Sequence, residues 1–314
     1  MTHRQYKFFA AGYQQRSTTV SSYVPPVGTA GMMDCMDKNE EAVITAVTTA
    51  IKNSRKYGDT SEATIRQLAE EAARQHKKPK AAIKAVRTKL HSIMAPYLGD
   101  PDYTAVAQQL TEAFTNNDEE RIIQLCLDSL EAHLSTRERL PIMADFYGQI
   151  FAITGQPQSI MDIACALNPL ALRWMFPEFS NQLKFYAYDI HEPRIAFINH
   201  YFRLEGLEPL ARVQDMAMNF PQEQADVALF LKEMPRFTRN YGDLGRPLLQ
   251  ALNVRWLVIS YPSVSTHGGR NLTSRYRDFM HQLIDGLNWP VTELLFEGEL
   301  VFVIQKDAET SEGL

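Results

Sequence analysis

Beyond Gly155 the apolar residues change period, and that change constrains the fold more than any other feature of the chain. Before it, they recur every three or four positions, as on one face of a helix. After it come short runs of alternating or continuous apolar residues broken by turns. Residues 159–164 read as a strand, followed by a turn containing Asn168-Pro169 and a helix at 170–175. Residues 184–188 read as a second strand ending at Asp189, with a helix at 195–204. Third, fourth and fifth strands are expected at 212–215, 225–230 and 256–260, with helices ending at 248–252 and spanning 276–287. Residues 293–295 and 299–305 close the pattern. Alternation of this kind predicts an α/β fold, a mainly parallel doubly wound Rossmann-like sheet with an antiparallel final pair.

Doubly wound sheets bind ligands outside the carboxyl ends of their strands, at the switch point. Asp162, Asp189, Asp215 and Lys232 all fall at or just beyond expected strand ends. An acid after the second strand suits a nucleotide ribose, because a carboxylate accepts from both hydroxyls. Asp189 fits that position, and Asp215 is placed to accept from an adenine amino group. Asp162 is placed to order the first turn. That turn, Ala164-Cys165-Ala166-Leu167-Asn168-Pro169, lacks the Gly-x-Gly that close approach to a pyrophosphate requires. S-adenosylmethionine (SAM) carries no phosphate, so a class I SAM-dependent methyltransferase sheet is expected, and NAD or FAD enzymes are disfavoured. No phosphate-binding Gly-x-x-x-x-Gly-Lys loop, histidine pair at metal-ligand spacing or Ser/His/Asp arrangement stands out, so no metal is expected.

The residues before the change predict an all-helical N-terminal domain. Val43, Ile44, Val47 and Ile51 share one helical face; so do Ile65, Leu68, Ala69 and Ala72, with Thr60 or Ser61 as N-cap. Lys78-Pro79-Lys80 precedes a third helix with apolar Ile83, Val86 and Leu90. Further helices are expected at 103–114, 119–132 and 137–153, the last opening on the capping box Ser135-Thr136-Arg137-Glu138. The formal net charge of −5 conceals an asymmetry: residues 52–91 hold eleven Lys and Arg against four acids, a local excess of seven. A basic module of that kind suits docking on phosphates, set against the alternative of an ordinary solvated helix face. No apolar run reaches the roughly 18 residues of a membrane span, no secretory h-region opens the chain, and three cysteines show no pairing pattern. A cytoplasmic protein with no membrane partner is expected. The expected organisation is a flexible extension at 1–37, a helical domain at 38–134, a catalytic domain at 135–306 and a tail at 307–314.

Several motifs, kept in order, resemble one family. They are Ser135-Thr136-Arg137-Glu138-Arg139-Leu140, then Asp162-Ile163-Ala164-Cys165-Ala166-Leu167-Asn168-Pro169, Tyr188-Asp189-Ile190-His191 and Gln214-Asp215. Leu231-Lys232-Glu233-Met234-Pro235, Val258-Ile259-Ser260-Tyr261-Pro262 and Gly298-Glu299-Leu300-Val301 complete them. Together they resemble the Arm/Rmt-type aminoglycoside-resistance methyltransferases, which methylate N7 of guanine 1405 in 16S rRNA. Ser54-Arg55-Lys56-Tyr57 and residues 78–91 look like that family's RNA-binding N-terminal domain, and the resemblance spans about residues 36–306.

The resemblance implies a monomer acting on 16S rRNA within the 30S subunit, with SAM as cofactor and resistance to gentamicin and kanamycin as outcome. Carried over by position, Arg139 binds the SAM carboxylate, and Ala164 and Ala166 face the methionine moiety. Asp189 with Ile190 holds the ribose, Asp215 with Met216 the adenine. Lys232 lies beside the reacting centre, and Glu299 is a further pocket residue. RNA contact falls to Lys80, Lys84, Arg87, Lys89 and Arg270, with Arg270, Arg275 or Tyr276 as stacking partners for a flipped base. Two departures stand out: Ala166 replaces a frequent glycine, and Gly268-Gly269-Arg270 continues as Asn271-Leu272-Thr273-Ser274-Arg275-Tyr276 in place of a Gly-Met-Glu-x-x-Tyr-like element. The rival readings are a degenerate relative that binds rRNA or 30S without methyl transfer, and a methyltransferase with another base or a small molecule as target.

Overall fold

The structure, a computed structural model, describes residues 38–94, 100–265 and 269–306. The expected extension at 1–37, the tail at 307–314 and Gly268 lie outside the described residues. Seven strands form one sheet in the order β3-β2-β1-β4-β5-β7-β6. The parallel members are β1 (Ser159–Ile163), β2 (Lys184–Asp189), β3 (Ala211–Val213), β4 (Gln224–Leu231) and β5 (Asn253–Pro262). β7 (Glu299–Gln305) runs antiparallel between β5 and the edge strand β6 (Val291–Phe296). This is the expected sheet, with the antiparallel pair where the last two apolar runs put it.

Both faces of the sheet are covered, which explains why its strands read as near-continuous apolar runs. Ile160, Val227 and Leu229 enter one core, while Met161, Ala228 and Phe230 enter the other, as a period of two demands. The first core is closed by α4 (Tyr103–Thr115), α5 (Glu119–Ala132), α7 (Met143–Thr154) and α9 (Glu192–Leu204). The second is closed by α10 (Met234–Tyr241), α11 (Gly245–Ala251) and α12 (Thr273–Ile284).

Three more helices, α1 (Lys38–Lys52), α2 (Glu62–Gln75) and α3 (Pro79–Met94), have a core of their own built from Val43, Val47, Ile51, Ile65, Leu68 and Leu90. Ser61 caps α2 through its side chain, accepting from Thr64 N. The packing break therefore falls between Met94 and Tyr103. The boundary expected at residue 134 cuts through a continuous core, because Leu110, Ile122 and Leu125 pack with the sheet.

Two local expectations are corrected. Residues 134–154 form a single turn α6 (Leu134–Arg137), a 3₁₀ turn Leu140–Ile142 and then α7, with no side-chain cap at Ser135. Pro141 is the cause: it cannot donate within a continuous helix, so the chain breaks at that point. α10 answers to no expected helix, although Pro235 stands in its first turn, where proline favours a helix start.

Candidate active site

The chain leaves β1 for β2 and β3 on one side and returns to β4 on the other, so the switch point lies between β1 and β4. A cleft opens there. Residues at or just beyond the ends of four successive strands line it: Ala164 and Ala166, Asp189 and Ile190, Asp215 and Met216, then Leu231 and Glu233. Phe230 and Phe237 add apolar wall, and Ile93 and Met94 at the end of α3 close the outer side.

The first turn is held in an unusual conformation. Ala164 and Ala166 both have positive φ, 52° and 48°, in the left-handed region that glycine occupies without strain. Ala166 N donates to Asp189 Oδ2 at 3.1 Å, tying the turn to the second strand end. Conformation as well as close approach is thus what a glycine would supply here, and alanine meets the demand at a cost of roughly 1 kcal/mol per position.

Asp189 is braced on every side. Its Oδ1 accepts from His191 N at 2.9 Å, and its Oδ2 accepts from Arg194 at 2.9 Å. Burial opposes its ionisation, but the adjoining guanidinium and N–H donors hold the carboxyl below its usual range. Arg194 is a site residue that sequence reasoning missed; it also reaches Asp100 at 2.7 Å and Tyr103 Oη at 3.1 Å. A signal existed. An arginine in the first turn of a helix opposes the helix dipole and calls for an acid partner.

Asp215 behaves in the opposite way. Burial raises its carboxyl, and its acceptors are met by Ala217 N at 2.9 Å and by Thr64 Oγ1 at 3.0 Å.

Arg139, Asp162, Glu299 and Lys232 are brought together in a second cluster, which does not line the cleft. Arg139 is 2% exposed and donates to Asn168 Oδ1 at 3.1 Å and to Glu299 Oε1 at 2.8 Å. Its guanidinium also lies over the Phe146 ring, 4.7 Å from the centroid. Asn168 in turn donates to Asp162 Oδ2 at 2.8 Å and accepts from Tyr147 Oη at 2.6 Å. Burial pushes the Asp162 carboxyl up to about 8. Lys232 Nζ sits 2.9 Å from Glu138 and 3.2 Å from Glu299 Oε2, and its backbone φ of 59° is again left-handed. Glu299 stays ionised below its ordinary range: burial opposes the charge, and Arg139 and Lys232 outweigh it. Among the buried atoms of this cluster, Arg139 Nε has no hydrogen-bond partner, and Glu299 Oε2 has only its ion pair with Lys232.

Residues 53–303 match the sequence profile of the ribosomal RNA methyltransferase (FmrO) family. A 16S rRNA (guanine(1405)-N(7))-methyltransferase of Micromonospora echinospora is 31% identical over 268 residues, covering 84% of this chain and 97% of that one. The chain belongs to the ribosomal RNA methyltransferase (FmrO) family. Its fold is shared with the 16S rRNA methyltransferase RmtF in complex with S-adenosyl-L-homocysteine, at TM-score 0.71 and 27% identity over 86% of this chain and 99% of that one. The 16S rRNA methylase RmtB gives TM-score 0.69 and 27% identity over 84% and 98%.

The residues expected to contact RNA are not all on one surface of the structure. Lys80, Lys84 and Arg87 are exposed on α3 and line an open groove with Tyr57 and His91. Lys89 is a correction. Its ammonium donates to the Asn240 carbonyl and lies over the Tyr241 ring, 4.8 Å from the centroid, so it fastens α3 to α10. The reason is angular: at about 100° per residue, Lys89 points about 180° away from Lys80. Arg270 is exposed, but Tyr276 stacks on buried Tyr261 at 4.7 Å, leaving one ring face committed to packing. The departing loop is tied by Leu272 N to Ser263 O and by Asn271, which accepts from Thr273 N.

Proposed function

We propose that this protein transfers the methyl group of SAM to N7 of guanine 1405 in 16S rRNA of the 30S subunit, conferring resistance to gentamicin- and kanamycin-type aminoglycosides. The observation that carries the reading is the switch-point cleft with Asp189 and Asp215 on adjacent strand ends, in a chain whose relatives bear that activity's name. No helix among the described residues is long and apolar enough to cross a membrane. The same reading has the protein acting in the cytoplasm as a monomer, with no metal.

The residues fit SAM. Two carboxylates and the apolar surfaces of Met216, Phe230 and Phe237 suit a nucleoside, and the alanine turn suits a tail without phosphate. The neighbouring cluster keeps one spare donor, Arg139 Nε, suited to a methionine carboxylate, with the Glu299 carboxylate beside it. When bound, SAM supplies an electrophilic methyl group on a sulfonium. Asp189 would accept from the ribose hydroxyls with Ile190 packed against the nucleoside, and Asp215 with Met216 would hold the adenine edge. Guanine N7 bears a free lone pair at neutral pH, so no residue has to remove a proton. Alignment supplies most of the acceleration. Lys232 is held by two carboxylates at the end of β4, between cleft residues Leu231 and Glu233. Its remaining donor capacity suits guanine O6, the acceptor beside N7. Lys80, Lys84 and Arg87 dock the rRNA backbone, and Arg270 stands in the loop nearest the target base.

Expression in a susceptible bacterium, followed by mass mapping of 16S rRNA, tests the reading. The expected result is a new 7-methylguanosine at position 1405 together with gentamicin and kanamycin resistance. An unmodified decoding site in cells that contain the folded protein would sink it.

A further inference from the structure

The α1–α3 unit is more than a neighbour of the cleft. Ser61 N donates to Ile190 O at 2.7 Å, and Glu192 N donates to Asp59 O at 2.9 Å, so the loop before α2 is stitched to the segment that follows β2. α3 is fixed to α10 by Lys89 and by Ser92 Oγ, which donates to Asn240 Oδ1 at 2.9 Å. Arg236 donates to the Ile93 carbonyl at 3.2 Å, beside the two α3 residues that wall the cleft. One of these crossings reaches a cofactor-facing group directly: Thr64, buried in the first turn of α2, donates its hydroxyl to Asp215 Oδ2 at 3.0 Å.

We propose that Thr64 is a positioning residue for the cofactor, holding the Asp215 carboxylate in its binding orientation and making the rRNA-docking helices part of the SAM site. The inference rests on the reading of Asp215 as the adenine acceptor. Asp215 Oδ1 is already taken by Ala217 N, so Thr64 fixes the second oxygen and with it the plane of the carboxylate. The hydroxyl also favours the charged acceptor form, against the burial that raises this carboxyl. The charged and titratable groups facing it are Glu71 on α2, Lys89 on α3 and Tyr241 on α10; only Lys89 favours its charge. Displacement of α2, by substitution or by strain on the docked helices, thus frees the carboxylate and lowers cofactor affinity.

The test is calorimetric titration of the full-length protein with S-adenosylhomocysteine across pH, comparing wild type, Thr64→Val, Thr64→Ser and Asp215→Asn. Valine keeps the shape and deletes the donor, so about tenfold weaker binding at pH 7 is expected, as for loss of a bond to a charged group. Serine should restore affinity to within about twofold. In Thr64→Val the carboxyl rises further, so binding is expected to fail at a higher pH on the acid side than in wild type. In Asp215→Asn that limb should vanish, and Thr64→Val added to it should cost nothing more. Wild-type affinity in Thr64→Val beside weakened Asp215→Asn would overturn the positioning role and leave the cofactor reading intact. Uniform weakening at every pH without rescue by serine would mark Thr64 as merely structural, and overturns the proposal too. Wild-type affinity in Asp215→Asn would instead overturn the reading of Asp215 itself.

Discussion

From Asp162 through Asn168, Arg139 and Glu299 to Lys232 runs a closed chain of buried polar and charged groups, each bonded to the next. Around Asp189 and Asp215 the carboxylates instead face a cleft and are held by Arg194 and Thr64. Both regions stand at strand ends of the same sheet. In the closed region each charge depends on its partner, so removing one leaves another uncompensated in a low dielectric. In the open region the acids keep acceptor capacity toward a ligand. Strand-end position alone therefore does not distinguish a residue that lines the cleft from one buried beside it.

The strongest way to break this distinction is to cut the closed chain. Glu299→Ala should cost about 3–5 kcal/mol of stability by urea unfolding, because Arg139 would remain buried without its counter-charge. Asp215→Ala should cost far less stability while weakening S-adenosylhomocysteine binding. Equal stability losses at the two positions would erase the contrast.

A second effect separates the regions by pH. The Asp162 carboxyl is raised to about 8, so the folded protein holds a proton there that the unfolded chain releases near its ordinary value. Its stability contribution is complete at low pH and is lost as pH rises through the folded value. Asp162→Asn should therefore gain on wild type as pH increases from roughly 5 and level off above about 8, read as the difference between two urea midpoints. A flat difference would place Asp162 with Asp189, whose carboxyl is held below its usual range.

The smallest effect concerns the turn that joins them. Ala166→Gly should stabilise the protein by about 1 kcal/mol, since glycine relieves the left-handed strain at φ 48°. A loss of stability would show that the Ala166 Cβ contributes packing that outweighs the strain.

The sheet was legible because period and punctuation are local properties. Continuous burial between two covered faces wrote the strands as short apolar runs, and β7 carries the same bounds in sequence and structure. The same locality explains the errors. Ser135 has the spacing of a capping box, but Pro141 six residues later stops the helix it would begin. Lys89 shares its charge with Lys84 and Arg87, but not their face, which helical geometry alone would have shown.

The sequence by itself determined the strands and the three acids at or near their ends, because these follow from the order and spacing of residues along the chain. Which of those acids face the cleft was decided only by tertiary structure. Burial of Arg139 against Glu299 and the seating of α2 that brings Thr64 to Asp215 join residues 160 and 151 positions apart. Charge compensation in a low dielectric depends on those distances in space, and no spacing along the chain records them.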